Sequence, residues 1–191
     1  MMSTSKNIVL LITAMVLGAC ASTFKATHDY DTSHNFSNYQ TFAWISEHPM
    51  TLAQTVGPNN PLLEPRIMST LETALAVKGY RWVKNAAAAD FVIAFTVGSR
   101  EEIKVDSYPA GYGHPGYGRW GGGYYGYGYG TETSVRQYTK GMLAVDIFDV
   151  KERRPVWHGV ASKTIHESDR ENRDETIKAA VDAIVAGFPP S

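Results

Sequence analysis

The sequence predicts an α+β fold in which two helices pack on one face of a mostly antiparallel sheet. Three observations support this prediction. Apolar residues recur at helical spacing in two segments, alternate as in strands in several others, and give the order β-β-α-β-β, an interruption, then β-β-β-α. The length of 191 residues and the hydrophobic share of 43% suit one domain with a core of ordinary size.

The chain from residue 24 onward begins with two predicted strands and a loop. Residues 24–30 and 39–45 have the β-branched and aromatic content of strands, and the Asp, Ser and Asn side chains between them favour a turn. Residues 46–61 contain three Pro and one Gly, a composition that predicts a loop. The first helix is expected after this loop.

That helix is predicted over residues 62–80. Pro65 suits its first turn, where a missing N–H costs little, and Gly79 suits the left-handed residue just past its end. Apolar residues at helical spacing predict a buried stripe that consists of Ile67, Leu71 and Leu75.

More strands are predicted for the middle and later parts of the chain. Residues 80–83 suit a short strand, and the near-continuous apolarity of 91–99 predicts a central strand that is covered on both faces. Residues 141–150 and 154–165 alternate on either side of the charged turn at 151–153. These two segments are therefore predicted to form a long β-hairpin.

The last helix is predicted over residues 174–190, after a charged and solvated connector at 166–175. Asp174 is expected to cap its N-terminus, while Gly187 and Pro189 are expected to end it. Its apolar stripe consists of Ile177, Val181, Ile184 and Phe188.

Residues 108–130 hold ten of the 17 glycines and seven of the 11 tyrosines of the chain. Because glycine loses the most backbone freedom on folding and aliphatic side chains are almost absent, the segment is predicted to be a flexible loop between strands at 92–105 and 133–138. Two alternatives give it a function: its rings stack on the sugars of peptidoglycan or lipopolysaccharide, or they self-associate or rest at a membrane interface. The candidate contact residues are Tyr112, Tyr117, Trp120, Tyr124, Tyr125, Tyr127 and Tyr129.

Charge and motifs argue against nucleic-acid binding and catalysis. The formal net charge is -1, and the sequence has no phosphate-binding loop, GxSxG or HExxH motif. His28, Asp29, Asp31 and His34 lie close in sequence, but Asp and His beside Ser and Asn are ordinary turn residues. We therefore expect no catalytic residue, metal, cofactor or nucleic-acid partner, and an active site assembled from distant residues stays an alternative.

The N-terminal residues predict a secretory signal. Residues 1–7 are polar with one positive charge, and residues 8–19 form a 12-residue apolar run that is too short for an ordinary membrane span. The run ends in Leu17-Gly18-Ala19-Cys20, which resembles the lipobox of bacterial lipoproteins and contains the only cysteine. This resemblance implies cleavage before Cys20 and attachment of acyl chains to it, which hold the chain on a membrane.

The residue after the cysteine bears on location. It is Ala21, whereas Asp at this position retains lipoproteins of this class in the inner membrane. The resemblance therefore implies the inner leaflet of the outer membrane, facing the periplasm, with the inner membrane as the alternative. The expected organisation is a signal peptide at 1–19, a lipidated N-terminus and tether at 20–23, and a single α+β domain at 24–190 with the insertion at 108–130.

Four segments recur in a characteristic order. They are the lipobox, YDTSHNFSNYQTFAW at 30–44, RIMSTLETALAVKGY at 66–80 with ADFVIAF at 89–95, and GMLAVDIFDVKERRPVWHG at 141–159. Spaced in this way, they resemble the bacterial lipoproteins grouped as domain of unknown function 4136. The resemblance implies a periplasm-facing α+β domain without established catalytic residues, in which Trp44 and Trp157 are core aromatics.

These observations favour a non-enzymatic, lipid-anchored envelope protein that binds or supports another envelope component, such as peptidoglycan, lipopolysaccharide or a protein. Two alternatives belong to other classes. One is an envelope hydrolase with a dispersed active site, which needs a pocket of converging polar groups. The other is a carrier of a lipid or small molecule, which needs an apolar cavity between the sheet and the helices.

Overall fold

The computed structural model describes the backbone of residues 24–58, 60–110 and 130–190, and the side chains of these residues except 106–110 and 130–133. Its strands are β1 (Lys25–Tyr30), β2 (Thr41–Trp44), β3 (Met50–Leu52), β4 (Arg81–Trp82), β5 (Phe91–Ala110), β6 (Gly130–Asp149) and β7 (Arg154–Ile165). Its α-helices in these ranges are α1 (Leu63–Val77), α2 (Glu167–Glu171) and α3 (Arg173–Val185). The expected α+β class is confirmed.

The seven strands form one mixed sheet in the order β1-β7-β6-β5-β2-β4, with β3 also beside β5. The antiparallel pairings β1–β7, β7–β6 and β6–β5 are long, whereas the parallel pairings of β2 with β4 and of β2 and β3 with β5 span two or three residues each. These parallel pairings arise because α1 connects β3 to β4 and returns the chain to the end of the sheet at which β2 begins. The strands β4 and β5 then run in the same direction as β2.

Two strand predictions need correction. The predicted loop at 46–61 contains β3, which pairs with β5 from Met50↔Phe95 to Leu52↔Val97. The predicted strands at 133–138 and 141–150 are one continuous strand, β6. Gly141 lies within this strand, and the Ile165 side chain on the neighbouring strand would be only 2.8 Å from a Cβ at this position, so its close approach requires glycine here. The predicted hairpin between 141–150 and 154–165 is present as β6 and β7.

The first helix agrees closely with its prediction. Its predicted stripe of Ile67, Leu71 and Leu75 is buried. Gly79 has φ of +93° just past the C-terminus, a conformation that side-chain-bearing residues rarely adopt. The indole of Trp44 donates to Glu72 Oε1 at 2.8 Å, which links β2 to this helix.

The predicted connector at 166–175 is partly helical. It contains α2, where Asp169 accepts from the Lys163 ammonium at 2.6 Å and from the His166 N–H at 2.9 Å. The predicted cap is also wrong: α3 has Asn172 at its N-cap, so Asp174 lies within the first turn. A carboxylate there still interacts favourably with the positive end of the helix dipole.

The core lies between one face of the sheet and the helices α1 and α3. Phe188, 1% exposed, follows the end of α3, and its ring contacts the rings of Phe36, Tyr80, Phe91 and Trp157 at centroid distances of 5.3 to 6.0 Å. Trp44 and Trp157 are buried, as expected. None of the described helices combines the length and the apolarity needed to cross a bilayer.

The central strand β5 is covered on one face only. Phe91, Ile93 and Phe95 are fully buried under the helices, while Val92 and Ala94 on the opposite face are half-buried. The prediction that both faces are covered is therefore wrong. Both long helices lie on the same side of the sheet, and neighbouring side chains give the other face its partial burial.

Candidate functional site

The lipid attachment residue and the candidate contact residues lie outside the described part of the chain. Cys20 belongs to the first 23 residues, and the seven aromatic residues belong to 111–129. Their predicted roles therefore stay predictions. The structure does describe the strands that lead into and out of 111–129, and it describes the histidines and aspartates of the 28–34 segment.

The four turn residues considered as metal ligands do not come together. The His28 ring on β1 packs 5.5 Å from Trp157 and lies 2.9 Å from Ile184 O, so it belongs to the packing of β1 against α3. Asp29 is exposed. Asp31 accepts from both Ser33 N and Ser33 Oγ and pairs with the guanidinium of Arg154.

His34 instead joins a group of residues from distant parts of the sequence. We call this group, His34, Tyr39, Asp149 and Glu152, the polar cluster. The Tyr39 hydroxyl donates to Asp149 Oδ2 at 2.8 Å and lies 2.7 Å from His34 Nε2. His34 Nδ1 lies 3.3 Å from Glu152 Oε1, and Glu152 N donates to Asp149 Oδ1 at 2.5 Å. The cluster ties the turn between β1 and β2 to the turn between β6 and β7.

The backbone of the β6–β7 turn positions these side chains. Asp149 ends β6, and its carbonyl accepts from Arg153 N at 2.8 Å, which closes a tight turn. Arg153 has φ of +55°, a strained conformation for a residue with a side chain. The Arg154 guanidinium then reaches both Glu152, at 2.6 Å, and Asp31. The polar cluster is thus continuous with an ion pair at the surface.

Burial determines the protonation of the phenol. Desolvation and the hydrogen bond to Asp149 raise the pKa of Tyr39 far above its ordinary range, so the phenol stays protonated and acts as a donor. Asp149 is 7% exposed, the lowest exposure of any charged residue in the described chain. At the surface, hydrogen bonds from Ser33, and then from Arg154, lower the pKa of Asp31 to about 2.

The polar cluster has the residue types of a cation site, and its groups engage one another. One nitrogen of His34 and one oxygen each of Asp149 and Glu152 lie within 4.8 Å of one another. Among the described side chains, every buried nitrogen and oxygen has a hydrogen-bond partner. The cluster borders an open groove of about 890 Å³ that is also lined by Asn38, Asp90 and Lys151. The buried polar atoms of the cluster therefore have their partners within the protein.

The other end of the β5–β6 ladder is built differently. β7 pairs with β6 only as far as Thr139↔Ile165, and the described strands beside β5 extend only to its residue 97. Beyond these limits, residues 102–110 of β5 and 130–138 of β6 continue as a two-stranded ribbon, which we call the arm. At about 3.4 Å per residue, its nine pairs span about 30 Å.

The arm exposes apolar side chains on one face. Ile103, Val105 and Val135 are 65%, 57% and 63% exposed, and Val105 lies directly opposite Val135. Because strand residues alternate between faces, these three lie on the side that is covered by helices elsewhere in the sheet. The opposite face is polar: Glu102 accepts from Tyr138 at 2.7 Å and pairs with Arg100 at 2.6 Å. Tyr138, followed by Arg100, lowers the pKa of Glu102.

Comparison with known proteins agrees with this architecture. The family model described as a domain of unknown function (DUF4136) matches residues 26–190. The chain belongs to this family. A DUF4136 family protein from Bacteroides thetaiotaomicron has the same fold, with a TM-score of 0.52 at 18% sequence identity over 87% of this chain and 97% of that chain. No curated protein matches the chain significantly.

Two other solved structures are similar to this DUF4136 chain at lower scores. A PDZ domain protein from Parabacteroides distasonis has a TM-score of 0.46 at 22% identity, over 88% of this chain and 36% of its own. The PelC dodecamer from Paraburkholderia phytofirmans has a TM-score of 0.46 at 10% identity, over 85% of this chain and 95% of its own.

Proposed function

We propose that this chain is a lipid-anchored lipoprotein of the cell envelope that acts as a non-enzymatic contact module facing the periplasm. The observation that carries the proposal is the arm. It projects about 30 Å beyond the sheet, exposes Ile103, Val105 and Val135, and leads directly into the Gly/Tyr-rich residues 111–129. Exposed apolar side chains on a projecting element that continues into an aromatic-rich sequence favour contact with another molecule.

The anchor is Cys20. Its thiol takes up a diacylglyceryl group, and cleavage before this residue then leaves the acylated cysteine as the first residue of the mature chain. At about 0.8 kcal/mol per buried methylene, two or three acyl chains keep the protein on the membrane. Ala21 favours the inner leaflet of the outer membrane, and the partners proposed for the arm are peptidoglycan, lipopolysaccharide or another envelope protein.

Two features of the folded domain favour this function over a hydrolase and a carrier. The Tyr39 hydroxyl is engaged by both Asp149 and His34, and its raised pKa makes the phenol a poor nucleophile or base at neutral pH. The space between sheet and helices, which a carrier would use, is filled by fully buried side chains such as Phe91, Ile93 and Phe188.

Crosslinking in intact cells tests the contact role. One variant replaces residues 111–129 by Asn-Gly, a two-residue turn that joins the paired residues Ala110 and Gly130 and preserves the arm. A matched variant keeps the length of the segment and changes its seven candidate aromatic residues to Ser. We expect a defined adduct with the native chain and its loss in both variants. The same adduct in all three chains would contradict the contact role of the aromatic residues.

Metabolic labelling tests the anchor separately. Cells that are fed radiolabelled palmitate are expected to label the native chain, which fractionates with the outer membrane. The Cys20→Ala chain is expected to lose the label and to be absent from the outer-membrane fraction. A label that survives this substitution, or a native chain without label, would refute lipid attachment at Cys20.

A further inference from the structure

The hydrogen bonds of the polar cluster determine which nitrogen of His34 carries a proton. The Tyr39 hydroxyl has a single hydrogen, and it donates this hydrogen to Asp149 Oδ2 at 2.8 Å. The contact of 2.7 Å between the Tyr39 oxygen and His34 Nε2 therefore requires an N–H on Nε2. A neutral imidazole with its proton on Nε2 has a lone pair on Nδ1.

This lone pair faces a carboxylate. His34 Nδ1 lies 3.3 Å from Glu152 Oε1, while the other oxygen of Glu152 accepts from Arg154 Nε at 2.6 Å. A lone pair and a carboxylate oxygen attract each other only when a positive charge lies between them, which is either a second proton on the imidazole or a metal ion. Asp149 has the same need, because buried carboxylates in proteins are paired or coordinate a metal.

The distance between Nδ1 and Oε1 favours the metal ion over the proton. A hydrogen bond from a charged N–H to a carboxylate is about 2.7–2.9 Å long. A tetrahedral Zn²⁺ ion with bonds of about 2.0–2.1 Å separates two of its ligands by about 3.4 Å, close to the 3.3 Å between His34 and Glu152. One nitrogen of His34 and one oxygen each of Asp149 and Glu152 lie within 4.8 Å of one another, so Asp149 supplies a third ligand.

We propose that His34, Asp149 and Glu152 bind a divalent transition-metal ion of the zinc type, with Nδ1 as the histidine ligand. Imidazole together with carboxylate is a ligand set that suits Zn²⁺. The ion neutralises both carboxylates and joins the turn between β1 and β2 to the turn between β6 and β7. The open groove beside the cluster gives the ion access and admits water as a further ligand.

The residues around the three ligands have the arrangement that is common around bound metal ions. A ligating histidine usually donates its other N–H, and ligating carboxylates are themselves hydrogen-bonded. Here His34 Nε2 donates to the Tyr39 phenol, which donates to Asp149. Arg154 donates to Glu152 in the same way. These contacts orient each ligand before the ion binds.

The proposed site departs from the sequence-based expectation that no metal is bound. That expectation considered His34 with the histidine and aspartates nearest to it in sequence. The fold separates these residues and joins His34 to the carboxylates of the β6–β7 turn instead. The site requires neither acylation of Cys20 nor a partner at residues 111–129, so it goes beyond the proposed function.

Zinc binding to the full chain tests the site. The chain is purified in mild detergent with a tag that contains no histidine, stripped with EDTA, and titrated with Zn²⁺ alone by isothermal titration calorimetry. We expect one ion per chain and a higher Tm in the presence of zinc, because binding to the folded state stabilises it. Mg²⁺ is expected to raise the Tm much less, since it prefers octahedral oxygen ligands.

Two ligand variants and one control locate the ion. Glu152→Gln removes a charged ligand at a position that is 41% exposed, so the chain should still fold. Its affinity for zinc is expected to fall about tenfold or more, as is that of His34→Gln. His48→Gln is the control, because His48 Nδ1 lies 3.2 Å from Glu64 Oε2 in a similar pair that belongs to no described cluster of three such residues. It should bind zinc as the native chain does.

Several outcomes would overturn the proposal. A native chain that binds no zinc would mean that a second proton on His34 supplies the positive charge. Native affinity in Glu152→Gln would place the ion elsewhere, for example on the thiol of Cys20, and this variant decides if His34→Gln fails to fold. Loss of binding in His48→Gln would place it at the exposed pair. Palmitate labelling and crosslinking do not depend on zinc, so the two proposals fail independently.

Discussion

The two ends of the β5–β6 ladder differ in the burial of their side chains and in the hydrogen bonds that they make with neighbouring segments. At the Phe91↔Asp149 end, the carboxylate of Asp149 is buried and bonded to Tyr39 and to Glu152 N. At the arm, Ile103 and Val135 are exposed and the ribbon lacks flanking strands within the described residues. One pair of strands therefore supports the fold at one end and presents a surface at the other.

Along this single hairpin, one end is therefore expected to contribute mainly to stability and the other, the arm, mainly to the proposed contact function. Local stability follows buried contacts and flanking hydrogen bonds, both of which are concentrated near the polar cluster. Changes there are expected to act on the free energy of unfolding. Changes in the arm are expected to act on association and to leave global stability nearly unchanged.

The largest expected effect comes from the polar cluster. Asp149→Ala leaves the Tyr39 hydroxyl and the Glu152 N–H without their acceptor in a buried site, and we expect the free energy of unfolding to fall by about 2–4 kcal/mol. Urea denaturation measures this change. The control is Asp146→Ala on the same strand, where a half-exposed pair with His158 is removed and about 0–1 kcal/mol is lost. Equal losses in both variants would contradict the assigned role of the cluster.

Asp31, at the surface end of the same network, makes a pH-dependent contribution to the free energy of unfolding. Its pKa is about 2 in the folded protein against an ordinary value of 3.8. A lowered folded-state pKa stabilises the protein above pH 3.8, and this contribution disappears as the pH falls from about 4 to 2. Asp31→Asn is therefore expected to flatten the fall in stability over this window, as followed by urea denaturation at each pH. Asp29→Asn, at an exposed position of β1, should keep the native slope; a native slope in Asp31→Asn would refute the assignment.

The smallest expected effect is in the arm. Val105→Thr exchanges one exposed β-branched side chain for another, and the free energy of unfolding should change by less than about 0.5 kcal/mol. Val145→Thr makes the same chemical change on β6 at a position that is 2% exposed. Because it buries a hydroxyl, it should cost about 1–3 kcal/mol. Similar values for the two variants would mean that the arm is as tightly integrated as the core.

Local patterns predicted the two long helices and most strands. The spacing of Ile67, Leu71 and Leu75 depends only on the helical repeat, and Gly79 marks the helix end by its own conformational preference. The alternation in 141–150 and 154–165 likewise predicted β6 and β7. These signals lie within single elements, so the sequence alone carries them.

Features that depend on contacts between distant segments could not be predicted from the sequence. β3 has three residues after Pro49, too few to show alternation, and it exists because β5 offers it an edge. The polar cluster joins Tyr39 to Asp149, 110 residues apart in sequence. Their only sequence signal is a polar residue at the end of a strand, which many exposed residues share. Burial, which distinguishes Asp149 from these, is a property of the assembled sheet.

The β5–β6 ladder also determines how freely the segment 111–129 can change in length and sequence. Ala110 and Gly130 are paired, so the ends of the segment 111–129 are held together whatever its length. The entropic cost of closing a loop grows slowly, by about 0.6 kcal/mol for each doubling of its length. Lengthening, shortening or replacing this segment is therefore nearly neutral for folding. The same folded core can therefore carry segments of different length and sequence at this position.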